Sequence, residues 1–186
     1  MPVDKFGRNT RTAAGVSASA SVALPQAAKI PIGLIPSLTQ NVGLFTASAS
    51  SENDGKQAWK AFNHLPGTLW ATNIEALDYW LRIDLPIPVR VWAFSLAGGP
   101  GRPRAPATSM TDQPFSWRLE GSNNGRNWTP LHTEENAPLD EVLRFYEVSR
   151  THIPFRSFRL FVLTSTANSV SGGLSHFQLY PLAELY

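Results

Sequence analysis

Trp80-Leu81-Arg82-Ile83-Asp84-Leu85 is the stretch whose reading decides the fold. Leu81, Ile83 and Leu85 alternate with Arg82 and Asp84, the period-2 pattern of a strand with one face in a core and the other in water. Upstream lies a compact aromatic loop, Ala61-Phe62-Asn63-His64-Leu65-Pro66-Gly67-Thr68-Leu69-Trp70, and downstream Pro88 to Leu96 offers a second strand. The alternation recurs along the chain. Phe115, Trp117 and Leu119 alternate with Ser116, Arg118 and Glu120; Phe158, Leu160 and Val162 share one face; Phe177 and Leu179 point inward from a strand over Gly173 to Tyr180. Asn124-Gly125, ahead of a return at Trp128 to His132, is a hairpin signal because both residue types tolerate positive φ. Further strands are expected at Phe45 to Ser51 and Val142 to Val148, and one or two helical turns at Lys56 to Phe62. About eight short strands with almost no helix predict an all-β antiparallel sandwich or barrel.

The chain of 186 residues has room for one domain with a real core and an appendage. A charged fraction of 16% is low, which suits a β-rich domain or surfaces covered by partners. The net charge of +2 gives no ground for expecting a nucleic-acid partner. The absence of cysteine excludes disulfides and thiolate metal sites. No apolar run approaches the length of a transmembrane helix, and no signal-peptide pattern follows the basic N-terminus. The expectation is a soluble protein, cytoplasmic or part of a particle assembled there.

Residues 1–42 differ in composition from the remainder. They carry Lys5, Arg8, Arg11 and Lys29 against Asp4, then an Ala/Ser/Val-rich run and Lys29-Ile30-Pro31-Ile32-Gly33-Leu34-Ile35-Pro36. Two prolines forbid a helix interior or a central strand, so an extended N-terminal arm is expected over 1–42, ahead of a domain over 43–186. Ile30, Ile32, Leu34 and Ile35 suit a strap on neighbouring protein subunits; the alternative is a disordered leader.

Catalytic signatures are missing. There is no Gly-x-Ser-x-Gly elbow, and Gly98-Gly99-Pro100-Gly101 lacks the helix that follows a phosphate-binding loop. His132, His152 and His176 show no metal-ligand spacing. Arg102 and Arg104, in a Gly/Pro-rich loop, have planar forks suited to carboxylates or phosphates, or else serve solubility alone.

The ordered set Ser48-Ala49-Ser50-Ser51, Ala61-Phe62-Asn63-His64, Thr68-Leu69-Trp70, Trp80 to Leu85, Trp117-Arg118-Leu119-Glu120-Gly121-Ser122-Asn123-Asn124-Gly125, Trp128, Phe158-Arg159-Leu160 and Gly173 to Tyr180 resembles the discoidin family, also called the coagulation-factor C-type domain. The resemblance covers residues 44–182. It implies the galactose-binding-like fold, an eight-stranded jelly-roll β-sandwich whose loops at one end bind sugars, lipid headgroups or protein surfaces without catalysis. Asn63 and His64 fall in the family's binding loop, and Trp70 and Trp80 at positions that the family buries. Many carbohydrate-binding members hold a structural Ca²⁺ with that loop and an acidic residue of the last strand. Asn63 and His64 stand here for the usual Asp-Gly, and His176 for the acidic residue, so no Ca²⁺ and no cofactor are expected.

Two functions follow as expectations. The first is a non-catalytic binding module that recognises a glycan or other surface ligand through loops carrying Asn63, His64, Arg102, Arg104 and Asn168. The second is a structural component of a virus particle or similar assembly, anchored to neighbours by the arm.

Overall fold

The computed structural model describes residues 32–41, 43–73, 79–99, 114–137, 139–148, 153–165 and 173–182. Nine strands are found among them: β1 (Thr46–Ala49), β2 (Trp70–Ala71), β3 (Tyr79–Val89), β4 (Val91–Gly98), β5 (Pro114–Ser122), β6 (Thr129–Glu134), β7 (Arg144–Glu147), β8 (Phe155–Ser165) and β9 (Gly173–Pro181). The helical turn expected near Lys56 is a 3-10 helix, Ala58–Phe62. The strands form two sheets, ordered β1-β3-β8-β5-β6 and β2-β9-β4-β7. Every pairing is antiparallel.

The alternation read in Leu81, Ile83 and Leu85 places all three in the core, as it does Trp117, Leu119, Phe158, Leu160, Val162, Phe177 and Leu179. Each such side chain contributes about 1.5–3 kcal/mol on leaving water. Pro86 and Pro88 stand where β3 loses register with β8, between the pairs Asp84–Ser157 and Val89–Phe155, because proline has no ladder donor.

Three sequence expectations need correction. Trp70 is fully buried, but Trp80 is half-buried and shares the outer face with Arg82, opposite Phe161 on β8. Phe115 is half-buried because a register shift at the start of β5 breaks the alternation before Trp117. The turn after β5 is not a two-residue hairpin. It spans residues 123–128, with Gly125 alone at positive φ (67°), and the Ser122 hydroxyl and Asn124 carboxamide accept the loop's backbone N–H groups.

The outer face of the five-stranded sheet carries interleaved arginines and aromatics. The Arg159 guanidinium lies 4.2 Å from the Trp128 ring centroid and 4.9 Å from that of Phe161, whose ring also has Arg118 at 5.1 Å. Glu120, only 2% exposed, is bound by both Arg118 and Arg159.

Residues 32–41, expected as the end of the arm, pack on the chain's own sandwich. Leu34 N–H donates to Leu179 O (2.8 Å) and Leu38 N–H to Phe62 O (3.1 Å). Gln178 extends the zipper with its side chain: Oε1 accepts from Ile35 N–H and Nε2 donates to Ile35 O, both at 2.8 Å. Ile35 and Leu38 join the core and Leu34 packs against it. Asn41 brackets both backbone groups of Ala47, closing part of an edge that β1 would leave open. Ile35 is therefore taken up by the chain's own core, with Leu34 half-buried against it. Ile32 stays exposed, and Ile30 lies outside the described residues. No described helix is long and apolar enough to cross a membrane.

Candidate functional site

Strand register brings four connections to one end of the sandwich. Ala71 pairs with Gly173 and Gly98 with Leu174, so β2, β4 and β9 end together. In the facing sheet Tyr79 pairs with Val162 and Pro114 with Ser165. Gly98 N–H donates to Asp140 O (2.7 Å) and Leu139 N–H to Pro114 O (3.0 Å), which ties the two ends to each other. Residues 72–78, 99–113, 135–143 and 166–172 thus leave and re-enter the strands at this end. Arg102, Arg104 and Asn168 belong to two of these connections but lie outside the described residues, as does His152.

Two glycines keep the rim closed. A Cβ on Gly98 would stand 2.2 Å from Leu139 O, and one on Gly99 2.7 Å from Leu69 Cδ1. Beside them, Arg144 holds Asp140 in a fork, Nη1 to Oδ1 at 2.6 Å and Nη2 to Oδ2 at 2.7 Å. That guanidinium keeps the Asp140 carboxyl below its usual range. The fork was not foreseen from the sequence, where an aspartate four residues before an arginine was the available signal.

The loop after the 3-10 helix approaches this rim through Leu69. Asn63 is 1% exposed, and its Oδ1 accepts from Leu65 N–H (3.0 Å) and from the Thr68 hydroxyl (2.8 Å). That oxygen fixes the turn. Asn63 Nδ2 is buried without a hydrogen-bond partner. His64 has φ 55°, the left-handed region that a glycine takes without strain.

The His64 side chain is half-buried against β9. Its Nδ1 lies 3.4 Å from His176 Nδ1, and its Nε2 3.1 Å from Gln178 Nε2. His176 Nε2 lies 3.0 Å from Ser95 Oγ, which is 3.0 Å from Tyr180 OH. After a register shift between the pairs Gly98–Leu174 and Ala97–His176, regular alternation puts His176, Gln178 and Tyr180 on the face opposite Phe177 and Leu179. His64 and His176, which the family resemblance set at one loop-and-last-strand position, meet here, together with Gln178, Ser95 and Tyr180, which the sequence reading missed.

This donor set does not fit Ca²⁺, which takes six to eight oxygens, several of them from carboxylates. Asn63 has committed its oxygen to the turn and offers an amide nitrogen, His64 and His176 offer imidazoles, and none of the groups in this cluster is a carboxylate.

Burial, and then the charge of neighbouring His64, push the His176 pKa from 6.5 down to about 4. The unfolded chain therefore binds the proton first, and stability present above pH 6.5 is lost as pH falls towards 4. The full linkage would be about 3 kcal/mol. Partial exposure of the ring screens it, leaving about 1–2 kcal/mol. Melting in the presence of a chelator at pH 7.5 and pH 4.5 should show this loss in the native protein and a smaller one in His176→Gln. Equal losses would remove His176 as the source.

No family model matches the sequence, and no curated protein is similar to it. Solved structures do share its fold. A family 32 carbohydrate-binding module from Clostridium perfringens, in complex with GalNAc-β-1,3-galactose, superposes with a TM-score of 0.59 at 15% identity, over 73% of this chain and 94% of that one. The family 32 module of NanJ from the same organism, in complex with galactose, gives 0.54 at 18% identity, over 73% and 93%. Chitosan-binding module 1, from a chitosanase/glucanase of Paenibacillus sp. IK-5, gives 0.58 at 20% identity, over 76% and 96%. The chain has the galactose-binding-like jelly-roll fold that the discoidin resemblance implied, a class of sandwich to which these carbohydrate-binding modules belong.

Proposed function

We propose that this protein is a non-catalytic carbohydrate-binding module that holds a sugar at the end where residues 72–78, 99–113, 135–143 and 166–172 leave the strands. The observation that carries this reading is the convergence of those strand ends. It makes one rim from four connections, among them those that carry Arg102, Arg104 and Asn168, on a rigid scaffold, the arrangement that suits ligand loops. The neighbours of the same fold support it: two are in complex with galactose-containing sugars and a third is named for binding chitosan. Arg102, Arg104 and Asn168 supply planar or forked donors for ring hydroxyls and for acidic substituents. Asn63 acts on the site indirectly, by holding the turn that carries Leu69 to the rim.

The rival reading, a structural component strapped to neighbours, finds no favouring observation, since Ile35 is taken up by the chain's own core and Leu34 packs against it.

A glycan array followed by calorimetry on the best hit tests the proposal. Arg104→Ala and Asn168→Ala are expected to weaken binding at least about tenfold while shifting stability by no more than about 0.5 kcal/mol. Failure to bind any sugar, or binding indifferent to both substitutions, would overturn it.

A further inference from the structure

We propose that His64 and His176 form a two-histidine site for a tetrahedral divalent metal, with Zn²⁺ the best match. The proposal is independent of the glycan reading.

Geometry carries it. The two Nδ1 atoms are 3.4 Å apart, too long for a good N–H···N bond and well inside the spacing of unrelated rings. Ligand nitrogens about 2.05 Å from a tetrahedral ion stand about 3.3 Å from each other, whereas cis ligands at the right angles of a square or octahedral ion stand about 2.9 Å apart. The observed separation fits the tetrahedral bite. The rings are tilted by 49°, with centroids 5.0 Å apart, so they are not stacked face to face.

The far nitrogen of His176 is supported as a metal-bound imidazole requires, and that of His64 has a carbonyl within reach. Such a ring usually donates its other N–H to a carbonyl, carboxylate or hydroxyl. His176 Nε2 faces Ser95 Oγ at 3.0 Å, and that hydroxyl is fixed in turn by Tyr180 OH. His64 Nε2 has Ile35 O at 3.4 Å.

The metal-free tautomers can be read from Gln178. Its Oε1 accepts from the backbone N–H groups of Ile35 and Leu179, so Nε2 is the donor that faces His64. His64 Nε2 then accepts, and its proton sits on Nδ1. A metal ion displaces that proton to Nε2, where Ile35 O receives it. No proton leaves the protein, and one Gln178 bond is given up, which keeps the affinity modest.

Among the described residues no cluster of three His, Asp or Glu side chains surrounds the pair. The remaining coordination positions go to water or to an oxygen of a ligand. The His64 backbone supports the same conclusion. A residue at φ 55° would be relieved by glycine, so the imidazole is present at a conformational cost.

The test is calorimetry and equilibrium dialysis of the full chain against ZnCl₂, with CaCl₂ in parallel. One Zn²⁺ per chain is expected, with no stoichiometric uptake of Ca²⁺. His64→Gly and His176→Gln should each weaken Zn²⁺ binding at least about tenfold, and Ser95→Ala about tenfold through the ring it supports. His132→Ala should leave binding unchanged. His64→Gly keeps the test decisive if His176→Gln folds poorly, because glycine suits the φ there. Absence of Zn²⁺ uptake, or uptake that survives His64→Gly, or loss on His132→Ala instead, overturns the site.

Discussion

Trp117→Ala is expected to destabilise the protein by about 4 kcal/mol, the largest loss from a single uncharged side chain here. Trp117 is fully buried on β5, and its neighbours come from both sheets. The indole meets Tyr146 of β7 edge-on at 4.9 Å, Phe94 of β4 at 6.0 Å, and His132 of β6 in a stack at 5.8 Å. Its Nε1–H donates to Ala137 O at 3.3 Å, so truncation also leaves a carbonyl unpaired in the 135–143 connection. For a domain of this size the melting temperature should fall by roughly 10–15 °C. The paired measurement is Trp80→Ala. Trp80 is half-buried on the outer face, and its loss should cost about 1 kcal/mol. Comparable losses for the two tryptophans would contradict the placement of Trp80 outside the core.

That contrast shows what the sequence made legible. Parity along Trp80 to Leu85 already put Trp80 on the side of Arg82; only the expectation carried over from the family put it inside. Alternation served wherever the ladder is regular, as in β3, β8 and the second half of β9. It failed where a register shift changes the phase, at Phe115, because such a shift is a property of the strand pair and not of either strand's composition. β2 escaped notice for a different reason: two residues are too few to show a period, and only pairing with Leu174 and Gly173 makes Trp70 and Ala71 a strand. The run Leu34 to Leu38 was visibly apolar, but apolarity says that a segment is covered and not by what.

The histidine pair was joined in the sequence only by the family resemblance, not by any local pattern. His176, Gln178 and Tyr180 lie at alternate positions, a polar stripe on one face of β9, and His64 stands where a glycine would be easier. Nothing local joins residues 112 positions apart; the 3-10 helix does, by seating Phe62 against Phe177 with ring centroids at 5.2 Å and so delivering His64 to His176, the residue before Phe177 in β9. Arg102, Arg104 and Asn168 remain assigned by the connections they occupy.

Glu120→Ala is expected to cost about 3 kcal/mol, from the opposite face of the same strand as Trp117. The carboxylate is 2% exposed, with Arg118 Nε 2.6 Å from one oxygen and Arg159 Nε on the other. Removing it leaves two guanidinium groups flanking the Phe161 ring with no anion between them, and their mutual repulsion adds to the lost bonds. Arg159, which lies over Trp128, is then freed from the position that holds the 123–128 loop down. Glu120→Gln separates charge from shape: it should recover at most about 1 kcal/mol, since an amide satisfies one arginine at best. Because the carboxylate is shielded from solvent, the loss should change little between low and high salt, unlike that of an exposed pair such as Asp140–Arg144. A double-mutant cycle with Arg159→Ala should return a coupling of about 1–2 kcal/mol. The 123–128 loop leaves the sandwich at the end away from the proposed sugar rim, so sugar affinity measured below the melting transition should not move. Lost affinity in Glu120→Ala would mean that the two ends of the sandwich are coupled through β5, whereas unchanged affinity with lowered stability separates the scaffold from the site.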